Sequence, residues 1–213
     1  MSRCIIITSC QSARLREFFD FCDDDFIICA DGGYSHACTE EIRADVLIGD
    51  FDSLNYDDLE NSSSGNGCRV FRQEIEKDYT DTMICLMYGI KQGFNEFYIL
   101  GGLGGRLDHT VANLQVMSHA IDNGKSIWIL DGRNRTTLRN PGSITIQRLD
   151  GYKLSLLSYS EVCDGITITG VKYPLTNRKL NHSCTLGISN EFIDAKAKIS
   201  HKSGKLLIIL SQD

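Results

Sequence analysis

Phe97-Tyr98-Ile99-Leu100 runs straight into Gly101-Gly102-Leu103-Gly104-Gly105, then into Arg106-Leu107-Asp108-His109 and an apolar-periodic stretch. An apolar run of strand length, a turn with four glycines in five residues and a helical pattern form one strand–turn–helix unit. The same grammar recurs upstream. Cys4–Thr8 reads as a strand before a helix at Ala13–Phe21, and Phe26–Ala30 as a strand before a helix at Tyr34–Ile42. Val46–Ile48 and, more weakly, Arg69–Phe71 read as strands. Met83, Leu86, Met87 and Ile90 recur at helical spacing in a segment from about Tyr79 to Ile90. Asp108–Ile121 predicts another helix and Ile127–Leu130 another strand. Such alternation implies a parallel sheet covered on both faces, with ligands at the carboxyl ends of its strands.

After about Arg135 the pattern changes. Ser143–Gln147, Tyr152–Ser158, Gly165–Thr169, Thr185–Ser189, Ala195–Ile199 and Lys205–Leu210 are short and β-rich, separated by Gly, Asn and Asp. Asn140-Pro141-Gly142 marks a turn near the junction. The expected fold class is α/β: an N-terminal parallel-sheet, Rossmann-like domain over residues 1–135, followed by a smaller all-β sandwich over 136–213.

The 213 residues, 42% hydrophobic and 23% charged, describe an ordinary globular chain rather than a disordered one. A net charge of −6 without a basic run argues against a nucleic-acid partner. The nine cysteines form no CxxC pair and several sit in apolar runs, so the expectation is reduced thiols in a cytoplasmic protein. Cys4-Ile5-Ile6-Ile7 is too short for a signal sequence or a membrane span, so no membrane partner is expected.

Four acidic clusters fall where strands end: Asp31-Gly32-Gly33, Gly49-Asp50-Phe51-Asp52-Ser53, Lys77-Asp78-Tyr79-Thr80-Asp81 and the Arg106–His109 turn. Carboxylates gathered on one sheet edge repel one another, and a divalent cation best relieves that crowding. In an extended segment Asp50 and Asp52 point to one side and can share an ion; the plain alternative is a polar turn capping a helix. Asp78 with Asp81 three residues on resembles helix capping, but capping does not call for Lys77. The glycines allow close backbone approach to an anion, and Arg106 can grip phosphoryl oxygens with its two-pronged fork. Neither GxGxxG nor GxxxxGK[ST] is satisfied. His109 reads first as a hydrogen-bonded structural group, and Asp31 draws weight only from its place at a strand end. Asn61–Gly67 is a small, polar loop to which no chemistry attaches.

Together these segments, with Gly170-Val171-Lys172-Tyr173-Pro174-Leu175 and Leu186-Gly187-Ile188-Ser189-Asn190-Glu191, resemble the thiamine pyrophosphokinase (thiamine diphosphokinase) family along nearly the whole chain. The resemblance implies transfer of the diphosphate group of ATP to the thiamine hydroxyl, with Mg²⁺ as cofactor, in a homodimer. It implies a catalytic first half and a thiamine-binding, dimerising second half. Position by position, it places Asp50, Asp52 and Asp81 at the metal, and Lys77, Asp78, Arg106 and Asp108 in the catalytic group. Asp31, Gly32, Gly102, Gly104, Gly105 and His109 fall to the nucleotide, Ser189 and Asn190 to thiamine. Some family members stack thiamine on a tryptophan of the β half. Here Trp128 lies in an apolar strand of the first half, so that task would pass to Tyr173 or Phe192. Two other readings compete: a haloacid-dehalogenase-like phosphatase using the Asp50-Phe51-Asp52 stretch, and a non-catalytic nucleotide- or thiamine-binding module.

Overall fold

A computed structural model describes residues 3–10, 13–50, 68–72 and 78–213. These form two compact units, Met1–Gly132 and Arg133–Asp213.

In the first unit β1 (Cys4–Ile7), β2 (Phe26–Ala30), β3 (Val46–Gly49), β4 (Arg69–Arg72), β5 (Glu96–Leu100) and β6 (Ser126–Leu130) lie in the order β4-β3-β2-β1-β5-β6, all parallel. Every residue of β1 is fully buried, as a strand covered on both faces requires. Ile5 and Ile7 face a cluster completed by α1 (Leu15–Phe18) and α2 (Gly33–Thr39) through Leu15, Phe18, Tyr34 and Ala37. The opposite face carries α3 (Asp81–Lys91) and α4 (Leu107–Asp122). There Gly89 of α3 lies so close to Cys4 and Phe97 that any side chain would collide with the Phe97 ring. Chain order reverses at β1: β2, β3 and β4 extend to one side, β5 and β6 to the other. The loops leaving β1 and β5 therefore part in opposite directions and open a crevice between them.

The second unit holds two antiparallel arrays. In one, β13 (Leu206–Ser211) lies between β7 (Asn134–Arg139) and β9 (Lys153–Ser158). In the other the order is β11 (Leu175–Asn181), β10 (Val162–Thr169), β12 (Lys196–His201), β8 (Gly142–Gln147).

Several sequence expectations need correction. Thr185–Ser189 forms turns rather than a strand, and Gly187 meets the Leu156 carbonyl so closely that no Cβ fits. Leu175–Asn181 and Asn134–Arg139, not foreseen, are strands. The first is an exposed edge with little apolar alternation, and the second buries Thr136 and Thr137 beside a single aliphatic residue, Leu138, too few apolar residues to mark a strand. Helix α1 spans four residues rather than the expected Ala13–Phe21. Glu40 from beyond α2 accepts hydrogen bonds from the Leu15 and Arg16 N–H groups at 2.6 and 3.1 Å, and Phe19 resumes extended backbone. Helix α3 begins at Asp81 with Thr80 as its N-cap, whose Oγ1 accepts from Met83 N–H at 3.3 Å, so Asp78 has no capping role.

Candidate active site

The carboxyl ends of β1, β2 and β3 are drawn together by two glycines. A Cβ at Gly33 would collide with the Ile7 carbonyl oxygen, and one at Gly49 would stand 2.9 Å from Asp31 Cα. Both contacts are backbone to backbone, so the helix after β2 sits on the end of β1, and the end of β3 on Asp31. On the other side of the reversal, the N–H and Oγ1 of Thr8 both donate to the Leu100 carbonyl at 3.1 Å. Between these tied ends lies a cleft of about 310 Å³. Asp31, Asp81, Gly102, Gly104, Arg106 and His109 line it.

The glycine-rich turn has an unusual backbone. Gly101, Gly102, Gly104 and Gly105 have φ of +80°, +77°, +89° and +62°, which side chains with a Cβ rarely adopt. Helix α4 holds this turn by two polar side chains one turn apart. Asn113, buried, donates from Nδ2 to the Gly102 carbonyl at 2.8 Å. Thr110 Oγ1 accepts from Gly104 N–H at 3.1 Å and donates to the Gly104 carbonyl at 3.2 Å. Cys10, half-buried beside Gly105, directs its thiol to the Leu103 and Gly104 carbonyls, while its own carbonyl accepts from Gly102 N–H at 3.0 Å. Among the described residues, the N–H groups of Leu103 and Gly105 make no hydrogen bond.

Arg106 follows as the N-cap of α4 and grips Asp108 with both prongs, Nε to Oδ1 at 3.2 Å and Nη2 to Oδ2 at 2.6 Å. Both side chains are well exposed, 73% and 64%, so an incoming anion can compete for the guanidinium without breaking a packed core. The Arg106 hydrogen bond holds the Asp108 carboxyl below its usual range, and Asp108 in turn raises Arg106. Asp108 also accepts from His109 N–H at 3.0 Å. A carboxylate so stabilised is a weak proton acceptor but a firm orienting group.

Asp31 is held at φ +45°, left-handed for a residue with a Cβ, with its N–H on the Ile48 carbonyl at 2.8 Å. Asp50 follows directly on Gly49, the residue that packs against Asp31. Asp81 opens α3 at the cleft wall, whereas Asp78 is exposed and outside the lining. Gly32 is the N-cap of α2 and Gly105 borders Cys10. Asp52 and Lys77 lie outside the described residues, as do Phe51 and the Asn61–Gly67 loop. Asp31 and Asp81 bring carboxylate oxygens to the cleft wall, the donor type that suits a hard divalent cation; among the described residues no three carboxylates there stand close enough to share one ion.

In the second unit Ser189 has φ +58° and donates its N–H to Ser155 Oγ at 3.0 Å. Asn190 is buried and its amide is spent internally. Oδ1 accepts from the Tyr173 and Glu191 N–H groups, each at 3.0 Å, and Nδ2 donates to the Tyr173 carbonyl at 2.7 Å. Asn190 thus grips the backbone of Tyr173, whose ring is 61% exposed with Lys172 Nζ 5.5 Å from its centroid. Phe192 is half-buried and bridges to Val171 through its backbone.

Thr8, Cys10, Thr110 and Asn113 were not anticipated. The available signal was two polar residues, Thr110 and Asn113, on the face where α4 otherwise buries Val116, Met117 and Ala120.

A doubly covered parallel sheet with a polar cleft at its reversal point defines the class: an α/β protein of the kind that takes ligands at the carboxyl edge. Residues 21–129 match the model of the thiamin pyrophosphokinase catalytic domain, and residues 143–206 that of the thiamin pyrophosphokinase vitamin B1 binding domain. The chain belongs to the thiamin pyrophosphokinase family. It is 30% identical over 168 residues to thiamine pyrophosphokinase of Bacillus subtilis, covering 78% of each chain, and 25% identical over 180 residues to thiamin pyrophosphokinase 1 of Caenorhabditis elegans, covering 77% of this chain and 69% of that one. Its fold is similar to the crystal structure of the Bacillus subtilis enzyme, with a TM-score of 0.87 at 25% identity across the whole of both chains. The enzyme from Geobacillus thermodenitrificans gives 0.85 at 30% identity, covering 100% of this chain and 98% of that one.

Proposed function

We propose that this chain transfers the diphosphate group of ATP to the hydroxyl of thiamine, giving thiamine diphosphate and AMP. The observation that carries the reading is the match of both family domain models, in order, to a chain whose first unit has an acidic cleft beside an arginine-bearing glycine turn. That match favours neither a phosphatase nor a non-catalytic binding module.

In this reading the first unit is the Rossmann-like catalytic domain and the second a β-sandwich that binds thiamine and dimerises, the protein acting as a cytoplasmic homodimer. All nine cysteines are free thiols, and no described helix is long and apolar enough to cross a membrane. Asp50, Asp52 and Asp81 would hold Mg²⁺, which when bound would neutralise charge on the transferred phosphoryl oxygens, and Asp31 would serve the same cleft. Gly102, Gly104 and Gly105 let the turn approach the phosphates. Arg106 exchanges Asp108 for phosphoryl oxygens and, with Lys77, stabilises charge growing on the bridging oxygen as AMP departs. Asp108, freed from Arg106, or Asp78 orients the thiamine hydroxyl for attack on the β-phosphorus. Gly32 and His109 border the nucleotide. Ser189 lies in the thiamine pocket; Asn190 acts there through Tyr173, the exposed ring that supports the aromatic task better than half-buried Phe192.

The test is incubation with thiamine, ATP and Mg²⁺ followed by separation of nucleotides. AMP and thiamine diphosphate in equal amounts are expected. ADP as the nucleotide product would overturn the reading.

A further inference from the structure

We propose that Thr110 and Asn113 are positioning residues for this reaction, holding the glycine turn in the one shape that presents N–H groups rather than carbonyls to phosphate. The inference rests on the turn being the phosphate cradle of the proposed transfer. A run of left-handed glycines has no preference of its own for one conformation, and in isolation it would sample many. Its carbonyl oxygens would also repel a phosphoryl group wherever they pointed into the cleft.

The two side chains of α4 remove both problems. Asn113 Nδ2 takes the Gly102 carbonyl at 2.8 Å, and Thr110 Oγ1 takes both the N–H and the carbonyl of Gly104 at 3.1 and 3.2 Å. A hydroxyl that accepts and donates to a single residue fixes that residue's orientation, because both polar groups of Gly104 are referred to one atom. The Cys10 thiol takes the carbonyl of Leu103 from the opposite side, at 3.6 Å. Thus the carbonyls of Gly102, Leu103 and Gly104 are all engaged within the protein. Thr110 and Asn113 lie three residues apart on α4, which also carries Arg106 at its N-cap and Asp108 in its first turn. One rigid helix therefore sets the turn and the guanidinium together. Neither side chain need touch the reacting atoms.

The experiment compares Thr110→Val, which keeps the shape and removes the hydroxyl, with Thr110→Ser, which restores it, using Asn113→Leu as an independent second variant. Calorimetric binding of inorganic pyrophosphate and of ATP is read beside the KM for each substrate. Thr110→Val and Asn113→Leu are expected to weaken pyrophosphate and ATP about tenfold, the value of roughly one hydrogen bond. Thr110→Ser should stay within about twofold of the parent, and the KM for thiamine should not move. Pyrophosphate affinity unchanged in Thr110→Val and Asn113→Leu would overturn the proposal while leaving the proposed reaction standing. Parallel rises in both KM values with a lowered melting temperature would also overturn it, by assigning the residues to folding alone. A parent protein that binds no pyrophosphate and forms no AMP would remove the underlying reading, and this inference with it.

Discussion

Gly102→Ala against Gly124→Ala isolates what the glycine turn demands. Both positions are left-handed, with φ of +77° and +70°, so each substitution incurs the same backbone penalty of about 1–2 kcal/mol. The surroundings differ. A Cβ at Gly124 meets nothing within 4 Å, whereas one at Gly102 stands 2.6 Å from Asn113 Nδ2. Asn113 is 5% exposed and has little room to retreat, so the 2.8 Å bond to the Gly102 carbonyl breaks. An orphaned buried polar group adds about 1–3 kcal/mol. Urea unfolding should therefore place Gly102→Ala roughly 1–3 kcal/mol below Gly124→Ala. ATP affinity should fall for Gly102→Ala and stay at the parent value for Gly124→Ala. Equal losses of stability, with ATP affinity unchanged in both, would refute the account of the turn.

Arg3→Met should destabilise the first unit by about 3–5 kcal/mol, because it strands the fully buried Asp25 carboxylate that Arg3 holds at 2.7 and 2.6 Å; the shift of the urea midpoint measures it. His201 gives a pH signature. Burial pushes its imidazole below the ordinary value, so it folds neutral against the Gly204 carbonyl at 3.1 Å. Below about pH 6.5 the unfolded chain takes up a proton that the folded chain does not. Stability should then fall with acidification, at up to about 1.4 kcal/mol per pH unit, until the folded imidazole also protonates. His201→Gln should flatten that slope in urea titrations between about pH 5 and 7.

What could be read beforehand was whatever lay contiguous in the chain. The strand Phe97–Leu100, the glycine turn and α4 form one uninterrupted motif, and the strand Phe26–Ala30 has its bounds written in its apolar run. Asp31, Asp81 and Arg106 announce themselves by standing at element ends. Thr110 and Asn113 do not, because their significance comes from a helix folding back over the turn before it. Asn190 is the reverse case. Its motif marks it as a ligand, but a buried amide must satisfy its own hydrogen bonds, and the nearest backbone to do so belongs to Tyr173. The strand Leu175–Asn181 escaped because an exposed edge strand needs no apolar face.

The reversal of strand order at β1 also governs when the cleft can exist. Cys4 pairs with Phe26 on one side and with Phe97 on the other, so the central strand is flanked by a near neighbour and a distant one. As the chain is synthesised, β1 to β4 can assemble as a half-sheet, but the apolar outer edge of β1 stays open until Phe97–Leu100 arrives. Pairing across such a separation is slow, and an open apolar edge invites wrong partners meanwhile. The same pairing that seals this edge brings the glycine turn up against Thr8 and Cys10. Closing of the sheet and assembly of the cleft therefore depend on the same pairing of β1 with β5.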